Sequence, residues 1–385
     1  MYDINSANDY VIIKMIEVSL FVSLLLFVYL CITITVKPNN KSKMNQTPIT
    51  MKDLAEALNV SVATVSRALA GNKAISEKRR KEIQDYAREH NFVSNFIAES
   101  LRKSKSKPVK LIGVIVPELV HFYFVSILSG IEQEASARGY RILVAQSKEE
   151  YEREVMICQS LYQNRVGGVV LSMAKTTTDY SLFIELQNRH VPLVFYDRIC
   201  TGIDASRVVV DDYNAALNAV TYLIETGCRR IAFYGSVLKL EICKNRYNGY
   251  RDALLRAHLP VDDSIVVFCD NRMDAERITP EILAREDRPD AFFAINDDTA
   301  IGILYAVKHV GLRVPDDISI CGFTNGNRAI ACDPMLTTVD QHGMKLGKQA
   351  VSILIDQIEG ILPMDKAVKK IVKTQLVIRG TTRKK

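Results

Sequence analysis

Residues 49–69 read ITMKDLAEALNVSVATVSRAL, two short helices with a tight turn between them. Thr50 carries the side chain of a helix cap, and Asp53, three residues on, can cap back to it. Ile49 and Leu54 are spaced as a hydrophobic staple across that start. Leu54, Ala55 and Leu58 then share one face at helical spacing. Asn59 tolerates the left-handed conformation that ends a helix. Ser61 caps the second helix, and Val60 and Val65 repeat the staple. Val65, Ala68 and Leu69 point inward, which leaves Val62, Ala63, Ser66 and Arg67 on the outer face. Gly71-Asn72 ends this unit, and Ser76 caps a third helix running to about His90. Two capped helices joined by a tight turn form a helix-turn-helix, the arrangement that lays its second helix in the major groove of DNA.

Charge follows the same boundary. Residues 44–108 hold 12 Lys+Arg against 7 Asp+Glu, a net of +5, whereas residues 109–385 hold 34 of each. Nearly all the excess positive charge therefore sits on the segment that would meet phosphates.

A chain of 385 residues with 48% hydrophobic residues is long enough for two or three domains and a sizeable core. Its eight cysteines are scattered, with no C-x-x-C pair and no metal-ligand spacing among Cys and His, so reduced, mostly buried thiols in a cytoplasmic protein are expected, with no metal and no cofactor. Val18–Val36 runs for 19 residues without a charge, long enough to span a bilayer. Lys37, Lys41 and Lys43 follow it, and the positive-inside rule would then hold the C-terminal bulk in the cytoplasm. The competing reading starts the working chain at Met44, six residues before the Thr50 cap, and makes residues 1–43 no part of it. The second reading is preferred, so a membrane is a partner only if residues 1–43 are translated.

After the third helix, Asn95–Arg102 could make two helical turns, too short to stand alone. Lys103-Ser-Lys-Ser-Lys-Pro108 is a charged, solvated tether. From Leu111 onward short apolar runs alternate with helical patterns. The strands read are Leu111–Val116, Arg141–Ala145, Gly168–Ser172, Leu193–Tyr196, Val208–Val210, Ile231–Tyr234, Ile265–Phe268, Ala291–Ile295 and Ile318–Gly322. Helices fill the gaps, among them Phe124–Arg138, Asn214–Thr226 and Asp298–Val310. This βαβ repetition predicts parallel sheets with helices on both faces, and nine strands suit two sheets better than one. Ligands in such sheets bind beyond the carboxyl ends of strands, which points to Glu118–Phe124, Asp197-Arg198, Asn296-Asp297 and Thr324-Asn325.

Over about residues 48–382 the chain resembles the lactose-repressor (LacI/GalR) family. The motifs that carry the likeness are V-S-x-x-T-V-S-R at residues 60–67, Gly113-Val-Ile-Val-Pro117, Tyr196-Asp197-Arg198, Asn296-Asp297 before a helix, Val314-Pro315-Asp-Asp-Ile-Ser319 and Pro334-x-Leu-Thr-Thr-Val339. The resemblance implies an α/β chain with an all-α helix-turn-helix domain at residues 48–93, a hinge helix and linker at 94–108, and a two-lobed periplasmic-binding-protein-like sensor at 109–385. Its lobe crossovers would fall near residues 211, 340 and 373. It also implies a homodimer on an inverted repeat of double-stranded DNA, with repression as the expected sense and a small-molecule effector between the lobes. No heptad repeat follows the last strand, so a dimer is expected rather than a tetramer.

Residue by residue, Val62, Ala63 and Arg67 match positions that read base edges. Arg67 could bind guanine in bidentate fashion, worth about 1–3 kcal/mol of discrimination. Thr50, Ser61, Thr64, Ser66 and Asn72 join them as candidate DNA contacts. Asn95 matches the start of the hinge helix, Leu101 the leucine that wedges into the minor groove, and Ala98 the small residue that lets paired hinge helices approach. Two residues depart from the pattern: Ser94 stands where proline is usual, and Glu99, where arginine is usual, is unfavourable near phosphates unless paired with a cation such as Arg102.

In the sensor, His121, Phe122 and Tyr123 occupy the loop over the effector, with one or two aromatics of Phe122–Phe124 expected to line the pocket. Arg246 matches an arginine that donates to ligand hydroxyls or a carboxylate. Asn296 and Asp297 match a polar pair at the pocket floor. Thr324 replaces the aspartate of Gly-Phe-Asp that commonly holds sugar hydroxyls. Cys228 replaces a usual histidine and is read as structural. A sugar or sugar derivative is the effector class the resemblance implies, and a purine-like ligand is the other open class.

Two other function classes bear on such a chain. A membrane-anchored solute-binding protein could use the same two-lobed domain, but only the hydrophobic N-terminus supports it. The basic helix-turn-helix segment with its three helix caps and the eight unpaired cysteines oppose it. An enzyme is further off: there is no nucleophile elbow, P-loop, metal cluster or defined acid/base pair, and Gly167-Gly168 reads as a loop-to-strand turn.

Overall fold

A computed structural model describes residues 49–90, 92, 109–236 and 239–384. The apolar segment Val18–Val36 and the hinge candidates Asn95, Ala98 and Leu101, with Ser94 and Glu99, lie outside the described residues. Among the described residues no helix is long and apolar enough to cross a membrane. The chain divides into two bodies at residues 95–96.

The smaller body is three helices, α1 (Met51–Ala57), α2 (Val62–Leu69) and α3 (Glu77–Glu89). Thr50 and Asp53 form a reciprocal capping box at the start of α1, and the Ser61 hydroxyl accepts from the Thr64 N–H at 3.1 Å at the start of α2. Asn59 sits at φ 48°, the left-handed turn between them. Leu54, Ala55, Val65, Ala68, Ile83 and Ala87 are buried together, and Ile49 packs against them. Ser76 differs from expectation: it occupies the cap position of α3 without a side-chain cap bond. In its place α3 itself secures the other two helices at their carbonyl ends. Arg79 donates to Leu58 O at 2.8 Å and Gln84 to Ala68 O at 3.0 Å.

The larger body is built on two six-stranded sheets. The first contains β1 (Leu111–Val116), β2 (Arg141–Gln146), β3 (Gly168–Leu171), β4 (Leu193–Tyr196), β5 (Ser206–Val210) and β11 (Lys369–Val372). The second contains β6 (Ile231–Gly235), β7 (Val266–Phe268), β8 (Ala291–Ala294), β9 (Ser319–Thr324), β10 (Thr337–Asp340) and β12 (Gln375–Val377). Their orders are β11-β5-β4-β3-β1-β2 and β12-β10-β9-β8-β6-β7, the same doubly wound topology used twice. The first sheet is parallel throughout. In the second, β12 runs antiparallel to β10, which corrects the expectation of purely parallel sheets. The antiparallel edge is a consequence of chain path, since β12 follows β11 across from the first lobe after two residues.

Both faces of each sheet are covered, which is why their strands read as nearly continuous apolar runs. In β1, Ile112, Val114 and Val116 pack under α4 (Phe122–Ala137) and α12 (Gly343–Ile358), while Ile115 faces α5 (Tyr151–Gln163) and α6 (Ser181–Asn188) on the other side. In β6, Phe233 packs with α7 (Asp212–Glu225) and α8 (Glu241–Arg256), and Tyr234 with α9 (Arg272–Leu283) and α10 (Asp297–His309). Helices α4 and α12 cross with their backbones nearly touching: a Cβ on Gly130 would lie 2.0 Å from Met344 O, and one on Gly347 2.1 Å from Ile127 O. The chain changes sheet after Val210, returns after Asp340 and crosses again after Val372. Short α11 (Asn327–Ala331) follows β9.

Candidate DNA-contacting helix and effector cleft

Helix α2 buries Val65 and Ala68, and so turns Val62, Ala63 and Arg67 to solvent with Ser66 half-buried. The Arg67 side chain makes no ion pair among the described residues. Thr50, Ser61 and Thr64 lie at the starts of the first two helices, where their hydroxyls already serve the caps. Asn72 accepts from Ala74 N–H at 2.9 Å in the turn after α2. The helix thus presents one guanidinium and a small apolar patch on a rigid, capped element.

In the larger body a cavity of about 360 Å³ lies between the two sheets at the carboxyl ends of their strands, in the range of small-molecule sites. His121 and the first turn of α4, Phe122–Phe124, come after β1, and Asp197 and Arg198 after β4; from the other lobe come Ile295–Asp298 after β8 and Thr324 at the end of β9. All seven predicted effector residues, His121, Phe122, Tyr123, Arg246, Asn296, Asp297 and Thr324, line it. Phe122 is exposed, whereas Tyr123 and Phe124 are buried in its wall and also belong to the core of the first lobe, so all three aromatics line the cavity.

Arg246, on α8, is buried against the start of α7. It donates from Nε to Asp212 Oδ1 and from Nη1 to Ile295 O, both at 2.7 Å, and its guanidinium lies 3.7 Å from the Phe323 ring centre. Burial raises the Asp212 carboxyl to about 6, against the pull of Arg246. Asn296 caps α10 through Thr299 N–H at 2.8 Å, and its amide donates to Asp270 O at 2.8 Å. Asp297 accepts from the Thr338 hydroxyl and from Gly326 N–H; burial nonetheless raises it to about 6. His121 is paired with Glu118 at 3.1 Å. Cys228 is buried in the core of the second lobe. The seven described cysteines are free, and six are buried.

Asp197 and Arg198, marked by the strand-end rule, line the cavity, and so do Lys175, Asp270 and Gln341, which sequence reasoning misses. Arg198 holds both oxygens of Glu149 through Nη1 at 2.6 and 2.7 Å, and Lys175 reaches from the first lobe to Asp270 of the second at 2.6 Å. Among the described residues of the cleft, Arg198 Nε and Gln341 Nε2 are enclosed without a hydrogen-bond partner, and the Tyr123 hydroxyl and the Asp197 carboxyl are enclosed facing one another, without a bond at ordinary hydrogen-bond distance. Three residues here hold left-handed backbones, Asp197 at φ 57°, Thr324 at 144° and Asn325 at 61°. For the β-branched Thr324 this costs on the order of 1–3 kcal/mol, strain of the kind stored at ligand sites. Lys175 and Asp270 follow strands β3 and β7, so the strand-end rule reaches them once the ends are known. Gln341 follows β10, a strand the sequence hides.

Residues 50–95 match the profile of bacterial regulatory proteins of the lacI family, and residues 220–382 that of a periplasmic binding protein-like domain. The HTH-type transcriptional repressor CytR of Escherichia coli K12 is 31% identical over 344 residues, covering 89% of this chain and 99% of that one. The Lac repressor bound to ONPG in its repressed state is 25% identical with a TM-score of 0.75, covering 87% of this chain and 100% of that one. A complex of the transcriptional regulator CelR with cellobiose is 25% identical with a TM-score of 0.65, covering 86% and 99%.

Proposed function

Because the chain belongs to the lacI family of bacterial regulatory proteins, we propose that it is a homodimeric repressor whose cleft binds a sugar or sugar derivative. The chain is a sequence-specific DNA-binding regulator under effector control, not an enzyme. What carries the finer reading is one juxtaposition. A capped helix with a solvent-facing Arg67 is followed in the same chain by a strained, polar-lined cleft between two lobes. Cellobiose in the CelR complex supports a carbohydrate here. Under this reading residues 48–93 read DNA, 94–108 form the hinge and 109–385 the sensor, and the working chain is cytoplasmic. Two copies would place two reading helices on an inverted repeat. Effector binding would shift the balance between open and closed lobes, and with it the spacing of the reading helices.

The test is selection of genomic DNA fragments by the purified protein at near-physiological salt. Enrichment of an inverted repeat is expected, with Arg67→Ala binding it about 10- to 100-fold more weakly at one base position per half-site. Absence of any enriched site, with and without cellobiose, ribose or glucose, would refute the reading.

A further inference from the structure

Among the described residues four lysine and arginine side chains line the cleft, and each is already bonded to a carboxylate of the same chain. Lys175 holds Asp270 at 2.6 Å, Arg198 holds Glu149 at 2.6 Å, Arg246 holds Asp212 at 2.7 Å, and Arg328 pairs with Asp298. Two further carboxylates in the wall, Asp197 and Asp297, have no cation bonded to them among the described residues. Asp297 takes its hydrogen bonds from Thr338 and Gly326. Arg379 lies behind it, but its donors go to Leu336 O and Asn325 Oδ1. The charges at the wall, with the carboxylates that bind its cations, are four positive and six negative.

A phosphate or carboxylate entering this space would meet cations already bonded to carboxylates, and two carboxylates, Asp197 and Asp297, to which no cation is bonded. To take the carboxylate-bound side of Arg198 or Arg246 it would displace Glu149 or Asp212, which leaves that carboxylate stranded in a poorly solvated site. A hydroxylated, uncharged molecule faces neither cost. The enclosed polar groups suit it: Arg198 Nε and Gln341 Nε2 are unpartnered donors, and the facing Tyr123 hydroxyl and Asp197 carboxyl offer a further donor and an acceptor. A hydroxyl can answer both kinds of group, whereas an anion only accepts. Phe122, Tyr123, Leu240 and Ile295 add an apolar wall for the face of a ring.

We infer that the cleft takes an uncharged, hydroxyl-bearing ligand and discriminates against the phosphorylated or carboxylated form of the same molecule. This rests on the effector reading above and narrows it to one charge class. The test titrates the full chain by calorimetry with matched pairs: glucose and gluconate, ribose and ribose phosphate, cellobiose and cellobionate, adenosine and adenosine monophosphate. In whichever pair binds, the neutral member should bind at least about 100-fold more tightly, as expected when like charges are forced together out of water. Asp197→Asn should narrow that preference by about 10-fold or more. A charged member binding as tightly as its neutral counterpart, or more so, overturns the inference while leaving effector control intact. Failure of every compound overturns the effector class and the inference with it. The comparison within pairs needs only the unaltered protein, so it stands even if Asp197→Asn fails to fold.

Discussion

Arg246→Met tests how the sensor's second lobe is held together. The guanidinium and the Asp212 carboxylate are almost wholly buried, with side chains only 5% and 4% exposed. Arg246 also satisfies Ile295 O and covers the Phe323 ring. Methionine keeps much of the volume but leaves Asp212 charged, buried and unpaired. Removing one partner of such a pair costs about 3–5 kcal/mol. For a unit of this size that corresponds to roughly 6–20 °C in melting temperature. Asp212 is already raised to about 6 by burial with the arginine in place, and losing the arginine raises it further. A carboxyl raised in the folded state penalises folding at pH values above that point, and the penalty fades as pH falls toward the ordinary value. The loss in Arg246→Met should therefore be larger at pH 8 than at pH 5. Adding Asp212→Asn removes the stranded charge and should recover at least about half of the loss. Urea titration of the three proteins at both pH values measures this. Arg246→Met within about 1 kcal/mol of the parent at pH 8, or a double variant no better than the single, would refute the reasoning.

Other perturbations probe the cleft and the helix crossing beneath it. Asp297, raised to about 6 and free of a bonded cation, contributes stability below about pH 4 that is lost as pH rises through 6. Asp297→Asn should thus flatten the pH dependence of stability between 4 and 7, by up to about 3 kcal/mol; an unchanged profile counts against it. Lys175→Met breaks the ion pair between lobes, a partly exposed contact worth about 1 kcal/mol, so ligand affinity should fall roughly fivefold by calorimetry. An unaltered affinity would show that the pair does not bias closure. Gly130→Ala forces a methyl against Met344 O and should cost about 1–3 kcal/mol in urea unfolding, a cost absent if the helices can part freely.

Much of the chain is legible without a structure because its signals are local. A cap needs only a side-chain oxygen and a backbone N–H three residues on, so Thr50, with Asp53 capping back, and Ser61 announce α1 and α2 in the sequence, and the bonds form as spaced. Strands buried on both faces must be apolar along their length, and so LIGVIV and its counterparts stand out. Strands β10, β11 and β12 escape that rule. TTVD carries two threonines, whereas KKIV and QLV are short edge strands whose exposed residues need not be apolar. Ser76 has the right residue type for a cap and makes no cap bond, because residue type alone does not orient a hydroxyl.

By itself, then, the sequence determined a capped helix-turn-helix with its charge, an α/β sensor of repeated βαβ units, and the loops after strands where a ligand would sit. Only the tertiary structure decided the character of the cleft. Lys175 meets Asp270, 95 residues away, because two separate sheets bring their strand ends to one space, and Arg198 meets Glu149, 49 residues away, because β4 and β2 end on the same side of one sheet. Whether an arginine in that space is a free anion receptor or is already matched depends on which carboxylate folds against it. Coulomb attraction and desolvation act on distance through space, which spacing along the chain does not contain.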